Sequence, residues 1–295
     1  MNSDRHQIVY ALLPDTGLGN KMLVWAKAFV FAKKQNLQLF QSPWWGFHWG
    51  AWFRYEKYKR VYLGYFKKNP FFTHFKFILF RLNALIVFEP IDLISSNKKR
   101  VYVFNKVVTS SDYFQSLKPF REEIRLELNS LILPKLLKDL EKYPSPVIGV
   151  HIRRGDFKLG STITPESFFI SSIIAIRNIT GKDLAVEVFT DAFPQEIAML
   201  LSLPNVYLAK PKPDILDILL LSRSKICILS IGSTFSFWAG FLSDGILLRH
   251  PNEWHPLVRP SDINKLYYEA NFDPHQPIDN RLIDLITGIK FETEN

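Results

Sequence analysis

The run His151-Ile152-Arg153-Arg154-Gly155-Asp156 sets an imidazole, two guanidinium groups and a carboxylate side by side. The residues before it, Val147-Ile148-Gly149-Val150, are apolar and β-type, so the charged groups begin where a strand passes into a loop. Alternate residues of a strand share a face, so His151 and Arg153 point together while Ile152 packs into the layer behind. An arginine held at such an edge is a fork-shaped donor matched to phosphate oxygens, and it stays charged at any working pH. Taken alone, the run reads better as a surface ion pair of Arg154 with Asp156 beside a structural histidine.

Three further groups carry possible chemistry. Gly17-Leu18-Gly19-Asn20 joins an apolar run to a helical one. Its glycines permit positive φ and a close backbone approach to a ligand, with Asn20 at the helix start; a plain tight turn is the alternative. Ser233-Thr234-Phe235-Ser236 follows a strand and opens a helix, where free amides and hydroxyls form an anion site without a metal; an ordinary serine cap is the alternative. Thr190-Asp191 ends another strand, and its carboxylate is placed to accept hydrogen bonds from a ribose or from guanine N1 and N2, or else to form a turn. Asp214 and Asp217 are the other candidates for guanine. The chain has no phosphate-loop motif, no His-Glu-x-x-His helix and no Asp-x-Asp pair to hold Mg²⁺ beneath a diphosphate, so neither metal nor cofactor is expected.

These groups need elements to hold them. Gln7–Leu13 reads as a strand and Lys21–Lys34 as a helix. The stretch from Trp44 to Tyr65 crowds tryptophans and tyrosines among lysines and arginines with no clean period, and most of residues 40–75 stay unassigned. Glu122–Tyr143 has leucines at helical spacing, and Tyr143-Pro144-Ser145-Pro146 breaks it, which sets a domain boundary at 144/145. Beyond it, strands at Val147–Ile152, Leu184–Thr190, Val206–Ala209, Lys225–Ser230 and Gly245–Leu248 alternate with helices at Pro165–Arg177 and Pro194–Leu203. Such alternation implies a parallel sheet covered on both faces, binding ligands at the carboxyl ends of its strands.

Composition bounds the rest. A chain of 295 residues that is 47% hydrophobic and 22% charged suits two packed lobes. A net charge of +9 attracts anions: nucleic acid, an acidic membrane or a phosphorylated small molecule. The single cysteine, Cys227, excludes an internal disulfide, so a reducing, cytoplasmic setting is the simpler expectation, and the N-terminal segment reads as a first strand rather than a signal peptide. The Phe71–Phe88 window is interrupted by His74, Lys76, Arg81 and Asn83, which excludes a spanning helix and leaves a membrane-surface segment open. The Trp44–Tyr65 aromatics suit stacking of bases or sugars, or a lobe core.

Four blocks together resemble the bacterial α-1,2-fucosyltransferases and, more distantly, the α-1,6- and protein O-fucosyltransferases that share a His-x-Arg motif. They are Gly17-Leu18-Gly19-Asn20-Lys21-Met22, with Lys21 where the family has glutamine; His151 to Phe157; Val188-Phe189-Thr190-Asp191; and Gly232 to Leu242 with the preceding Asp217 to Ile226. The resemblance implies an α/β, GT-B-like fold of two Rossmann-like lobes with mainly parallel sheets and an interdomain cleft, residues 1–144 presenting the acceptor and 145–295 holding GDP. It implies metal-independent transfer of fucose from GDP-β-L-fucose to a glycan or lipid-linked oligosaccharide hydroxyl, with inversion and an α-1,2 linkage. Arg153 would stabilise the leaving phosphate, Asp156 is the candidate base, and Gly17, Gly19, Asn20, His151, Arg154, Asp191, Ser233, Thr234 and Ser236 would line the donor. Nucleic acid is not expected as a partner, and peripheral contact with the inner membrane face is. The competing readings are the same fold with another nucleotide sugar, and a non-catalytic basic protein binding nucleic acid or a membrane surface.

Overall fold

The computed structural model describes residues 7–46, 61–67, 77–78, 81–82, 84–89, 99–107, 112–155, 163–260 and 268–289. Among these, residues through Leu137 form one compact unit and residues from Lys138 a second, a division ahead of the Tyr143–Pro146 break.

In the first unit β1 (Gln7–Ala11), β2 (Gln38–Gln41), β3 (Leu85–Phe88) and β4 (Arg100–Phe104) form a parallel sheet in the order β2-β1-β4-β3. Ile8, Tyr10, Phe40, Phe77, Val101 and Val103 make a core against it, with Tyr10 stacked on Phe77 at 3.9 Å between ring centres. The helix α1 (Leu18–Lys34) packs on β1, β2 and β4 and is buried along most of its first three turns. It starts at Leu18 rather than Lys21 because the Leu18 amide donates to the Tyr62 hydroxyl at 2.8 Å, a partner that local sequence does not reveal. Trp44, buried, stacks on Phe66 at 4.1 Å, so this part of the aromatic stretch is core. Trp49, Trp52, Phe53, Tyr55 and Tyr58 lie outside the described residues, as does half of the Phe71–Phe88 window.

The helical stretch expected over Glu122–Tyr143 is two helices, α2 (Arg121–Leu131) and α3 (Pro134–Leu140). Pro134 disfavours helical backbone at the residue before it. The chain leaves the helix at Ile132, ψ 144°, and the Leu133 amide donates to the Tyr65 carbonyl at 3.0 Å instead.

The second unit runs β5 (Ile148–Ile152), α4 (Glu166–Thr180), β6 (Val186–Thr190), α5 (Ala198–Leu201), β7 (Val206–Leu208), α6 (Asp214–Ser222), β8 (Ile226–Leu229), α7 (Thr234–Leu242), β9 (Ile246–Arg249), β10 (Glu269–Asn271) and α8 (Asn280–Gly288). The expected Pro194–Leu203 helix is a short 3-10 turn, Pro194–Ile197, followed by α5. The six strands are all parallel, in the order β10-β9-β8-β5-β6-β7. Ile148, Val150, Ile152, Val186 and Val188 pack on Phe169, Ile173 and Ile176 of α4 and on Leu282 and Ile286 of α8. The other face is covered by α6 and α7, whose residues are mostly buried. A strand covered on both sides reads as a near-continuous apolar run, which is why β5 shows no alternation and carries a polar side chain only near its carboxyl end, at His151.

The chain leaves β5 toward β6 and β7, then returns to pair β8 on its other side. The connections after β5 and β8 therefore diverge, which opens a crevice at their carboxyl ends, the place where open α/β sheets take ligands. The His151–Gly155 and Ser230–Ser236 segments both emerge there. Among the described residues no helix is long and apolar enough to cross a membrane.

Candidate functional site

His151 leaves β5 on the α7 side. Its ring stacks on Phe235 with centroids 4.7 Å apart and planes 17° apart, and its Nδ1 stands 2.6 Å from Ser236 Oγ. Burial, helped by the neighbouring Arg153 charge, pushes the imidazole pKa down to about 3, so the ring is neutral.

Arg153 is held from two sides. Its guanidinium pairs with Asp191 Oδ2 at 2.6 Å, with the two side chains 19% and 16% exposed, so the group is braced and still reachable from solvent. Its backbone amide donates to Ser230 Oγ at 2.9 Å, and Ser230 in turn donates to the His151 carbonyl at 2.9 Å. One buried hydroxyl at the end of β8 thus fixes the turn out of β5. Asp191 uses its other oxygen to accept the Arg154 amide at 2.7 Å. A side chain at position 155 would put Cβ 2.4 Å from Asp191 Oδ2, which is why a glycine follows the arginines.

Arg154 turns inward instead. It is buried, donates to the Arg153 carbonyl at 3.1 Å, and has Glu166, Glu196 and Asp191 as charge neighbours. Burial pulls its pKa down and these carboxylates oppose the shift.

Across the crevice Ser233 caps α7, accepting the Ser236 amide at 3.4 Å. Thr234 and Phe235 form the partly exposed first turn. Gly232 turns the chain into this cap at φ +63°, and its amide donates to Glu253 Oε2 at 2.9 Å. A helix start and a fixed guanidinium at the same crevice gather positive potential there, which suits an anion.

The other sequence candidates fall elsewhere. Gly17, Gly19 and Asn20 belong to the first unit. Gly17 is the N-cap of α1 at φ −59°, and Gly19 and Asn20 sit within the first helical turn, so the positive φ expected of the glycines is not used; α1 begins too early to need it. Lys21 is buried, which pushes its pKa down while Asp15 opposes. Asp156 lies outside the described residues. Asp214 opens α6, and Asp217, one turn on, stands 3.2 Å from the buried Lys212 ammonium; burial pushes its carboxyl up to about 7. Among the described residues no three His, Cys, Asp or Glu side chains cluster to hold a metal ion.

The family model of glycosyl transferase family 11 matches residues 97–255, more than half of the chain, and takes in all of β5 to β9. The chain belongs to glycosyl transferase family 11. Within this family 11 chain the Gly17–Met22 block lies outside the matched residues. No curated protein matches in sequence. Among solved structures, the NodZ α-1,6-fucosyltransferase co-crystallised with GDP is similar at 15% identity over 80% of this chain and 92% of that one, with a TM-score of 0.50; NodZ comes from Bradyrhizobium. An Arabidopsis thaliana FUT1 mutant in complex with GDP is similar at 13% identity over 86% and 75%, also at 0.50. These likenesses agree with the α/β fold of two parallel sheets that the resemblance implied, the second of which the strand and helix alternation also implied.

Sequence reasoning missed two residues of the site. Ser230 carried a weak signal, a polar residue closing the apolar run Ile226–Leu229 at the binding edge. Glu253 carried none, because its contact with Gly232 joins loops after two different strands.

Proposed function

We propose that this family 11 glycosyltransferase transfers fucose from GDP-fucose to a glycan hydroxyl, with inversion at the anomeric carbon and formation of an α-1,2 linkage. The observation that carries the reading is the braced, solvent-reachable Arg153 guanidinium at the β5/β8 crevice, tied through Ser230 to His151 and through His151 to α7. The similar NodZ and FUT1 structures are complexes with GDP, which favours a guanine nucleotide for this chain.

In this reading the diphosphate lies against Arg153 and the Ser233–Ser236 turn. A sugar hydroxyl attacks C1 from the face opposite GDP, and negative charge grows on the departing β-phosphate. Arg153 stabilises that charge without having to reorganise, because Asp191 already fixes its fork. The countercharge comes from Arg153 and the α7 start, so no metal is required. The neutral His151 borders the nucleoside and cannot add charge of its own. Arg154 and Asp191 act by positioning Arg153, and Asp191, Asp214 and Asp217 are the carboxylates proposed for guanine. Asp156 is the proposed base for the acceptor hydroxyl. Gly17, Gly19 and Asn20 are further residues proposed to bind the donor. The acceptor is proposed to be a lipid-linked glycan, reached by peripheral contact of the basic chain with an anionic membrane face.

A thermal-shift panel of GDP, UDP and CDP tests the donor. Only the correct nucleotide raises the melting point by binding the native state, so GDP alone is expected to do so. A shift with UDP or CDP and none with GDP overturns the reading.

A further inference from the structure

The turn that opens α7 is clamped by a segment from the far side of β9. Glu253 is a buried carboxylate whose side chain is 1% exposed. Its Oε2 accepts the Gly232 amide at 2.9 Å, while Oε1 accepts the His255 amide at 3.0 Å and stands 2.7 Å from His255 Nδ1. Between them, the Trp254 indole lies where a side chain on residue 232 would meet it at 3.3 Å, so Gly232 is held by a hydrogen bond on one side and a ring on the other. The segment is itself anchored: the Glu253 amide donates to the His250 carbonyl at 3.0 Å, and Asn271 of β10 donates to the Glu253 carbonyl at 2.9 Å.

A buried negative charge next to an anion site is costly unless it does something there. Burial pushes the Glu253 carboxyl up, but the hydrogen bonds from His255 and Gly232 outweigh it and keep the group ionised. An ionised acceptor makes a stronger and better directed bond to the Gly232 amide than a neutral one. It takes up that one amide and so fixes the backbone immediately before Ser233, the N-cap of α7. A positive-φ glycine turn without such a tether samples several conformations, and ordering it on ligand binding costs affinity.

We propose that Glu253 is a positioning residue for the donor diphosphate, acting through Gly232 to hold the Ser233–Ser236 turn in its binding conformation. This rests on the donor reading above. The test is calorimetric titration of GDP into wild type, Arg153→Ala, Glu253→Ala and Glu253→Gln, well below their melting points, with donor and acceptor KM measured alongside. Glu253→Ala is expected to weaken GDP about tenfold and to raise donor KM in step, with acceptor KM unchanged. Glu253→Gln, which keeps one carbonyl oxygen, either for the Gly232 amide or for the His255 groups, is expected to fall between, at least threefold weaker than wild type. Wild-type GDP affinity in the folded Glu253→Gln protein overturns the inference, whether or not Glu253→Ala folds. Loss of melting temperature alone, with GDP affinity intact, overturns it too. Absence of GDP binding by wild type overturns the donor reading instead, and GDP binding that weakens in Arg153→Ala but not in either Glu253 variant overturns only the role of Glu253.

Discussion

Asp191 holds Arg153 and Arg154 at once, Oδ2 pairing with the Arg153 guanidinium at 2.6 Å and Oδ1 accepting the Arg154 amide at 2.7 Å. The carboxylate at the end of β6 therefore shapes the turn that leaves β5, and the aim of Arg153 depends on a residue 38 positions later in the chain. Asp191→Asn keeps an acceptor for the Arg154 amide and removes the charge that fixes the guanidinium. Donor KM is expected to rise roughly tenfold, about 1.4 kcal/mol, with a smaller change in melting temperature. Steady-state kinetics with varied GDP-fucose measures it.

Gly155→Ala drives a methyl into Asp191 Oδ2, since the Cβ would sit 2.4 Å away. The carboxylate has to move, and Arg153 moves with it. The expected result is a folded protein whose GDP-induced thermal shift is largely lost, read by thermal denaturation with and without saturating GDP.

Ser230→Ala leaves the part-buried Arg153 amide without its acceptor and the buried His151 carbonyl without this donor. A buried group left unpaired costs about 1–3 kcal/mol, so unfolding stability in urea should drop by that order, and kcat/KM by more than the Thr190→Ser change, which keeps the hydroxyl bonded to the Ile152 carbonyl.

His151 supplies the pH dependence. Its folded pKa, about 3, lies below the ordinary histidine value of 6.5. The unfolded chain therefore takes up a proton below pH 6.5 that the folded chain refuses, and stability falls as pH drops from about 6.5 toward 3. Replacement by a residue that cannot titrate, His151→Asn, is expected to flatten that part of the melting-temperature profile. A histidine ring signal that titrates between pH 5 and 8 and disappears in His151→Asn would contradict the assignment.

Much of this fold could be read from the sequence because it is locally encoded. Periodic apolar runs separated by helices gave the parallel sheet, and the strand at residues 148–152 sits where Val147–Ile152 implied. What escaped depends on distant partners. The start of α1 rests on Tyr62, the split of α2 from α3 on the pairing of Leu133 with Tyr65, and the tether of Gly232 on Glu253. The site divided in the same way. His151 and Arg153 were legible as a strand-end pair, but the inward turn of Arg154 follows from its placement among Glu166, Glu196 and Asp191, on three different segments. No local pattern encodes such an arrangement.

The central claim is that Arg153, held at the β5/β8 crevice, stabilises the leaving phosphate of GDP-fucose. The direct measurement is GDP release from GDP-fucose, with and without a panel of acceptor glycans, by wild type and Arg153→Ala. Wild type should turn GDP-fucose over, and Arg153→Ala should do so about 100- to 1,000-fold more slowly, the loss typical of one such donor. Failure of wild type to hydrolyse or transfer from GDP-fucose, or equal rates for the two proteins, would contradict the account.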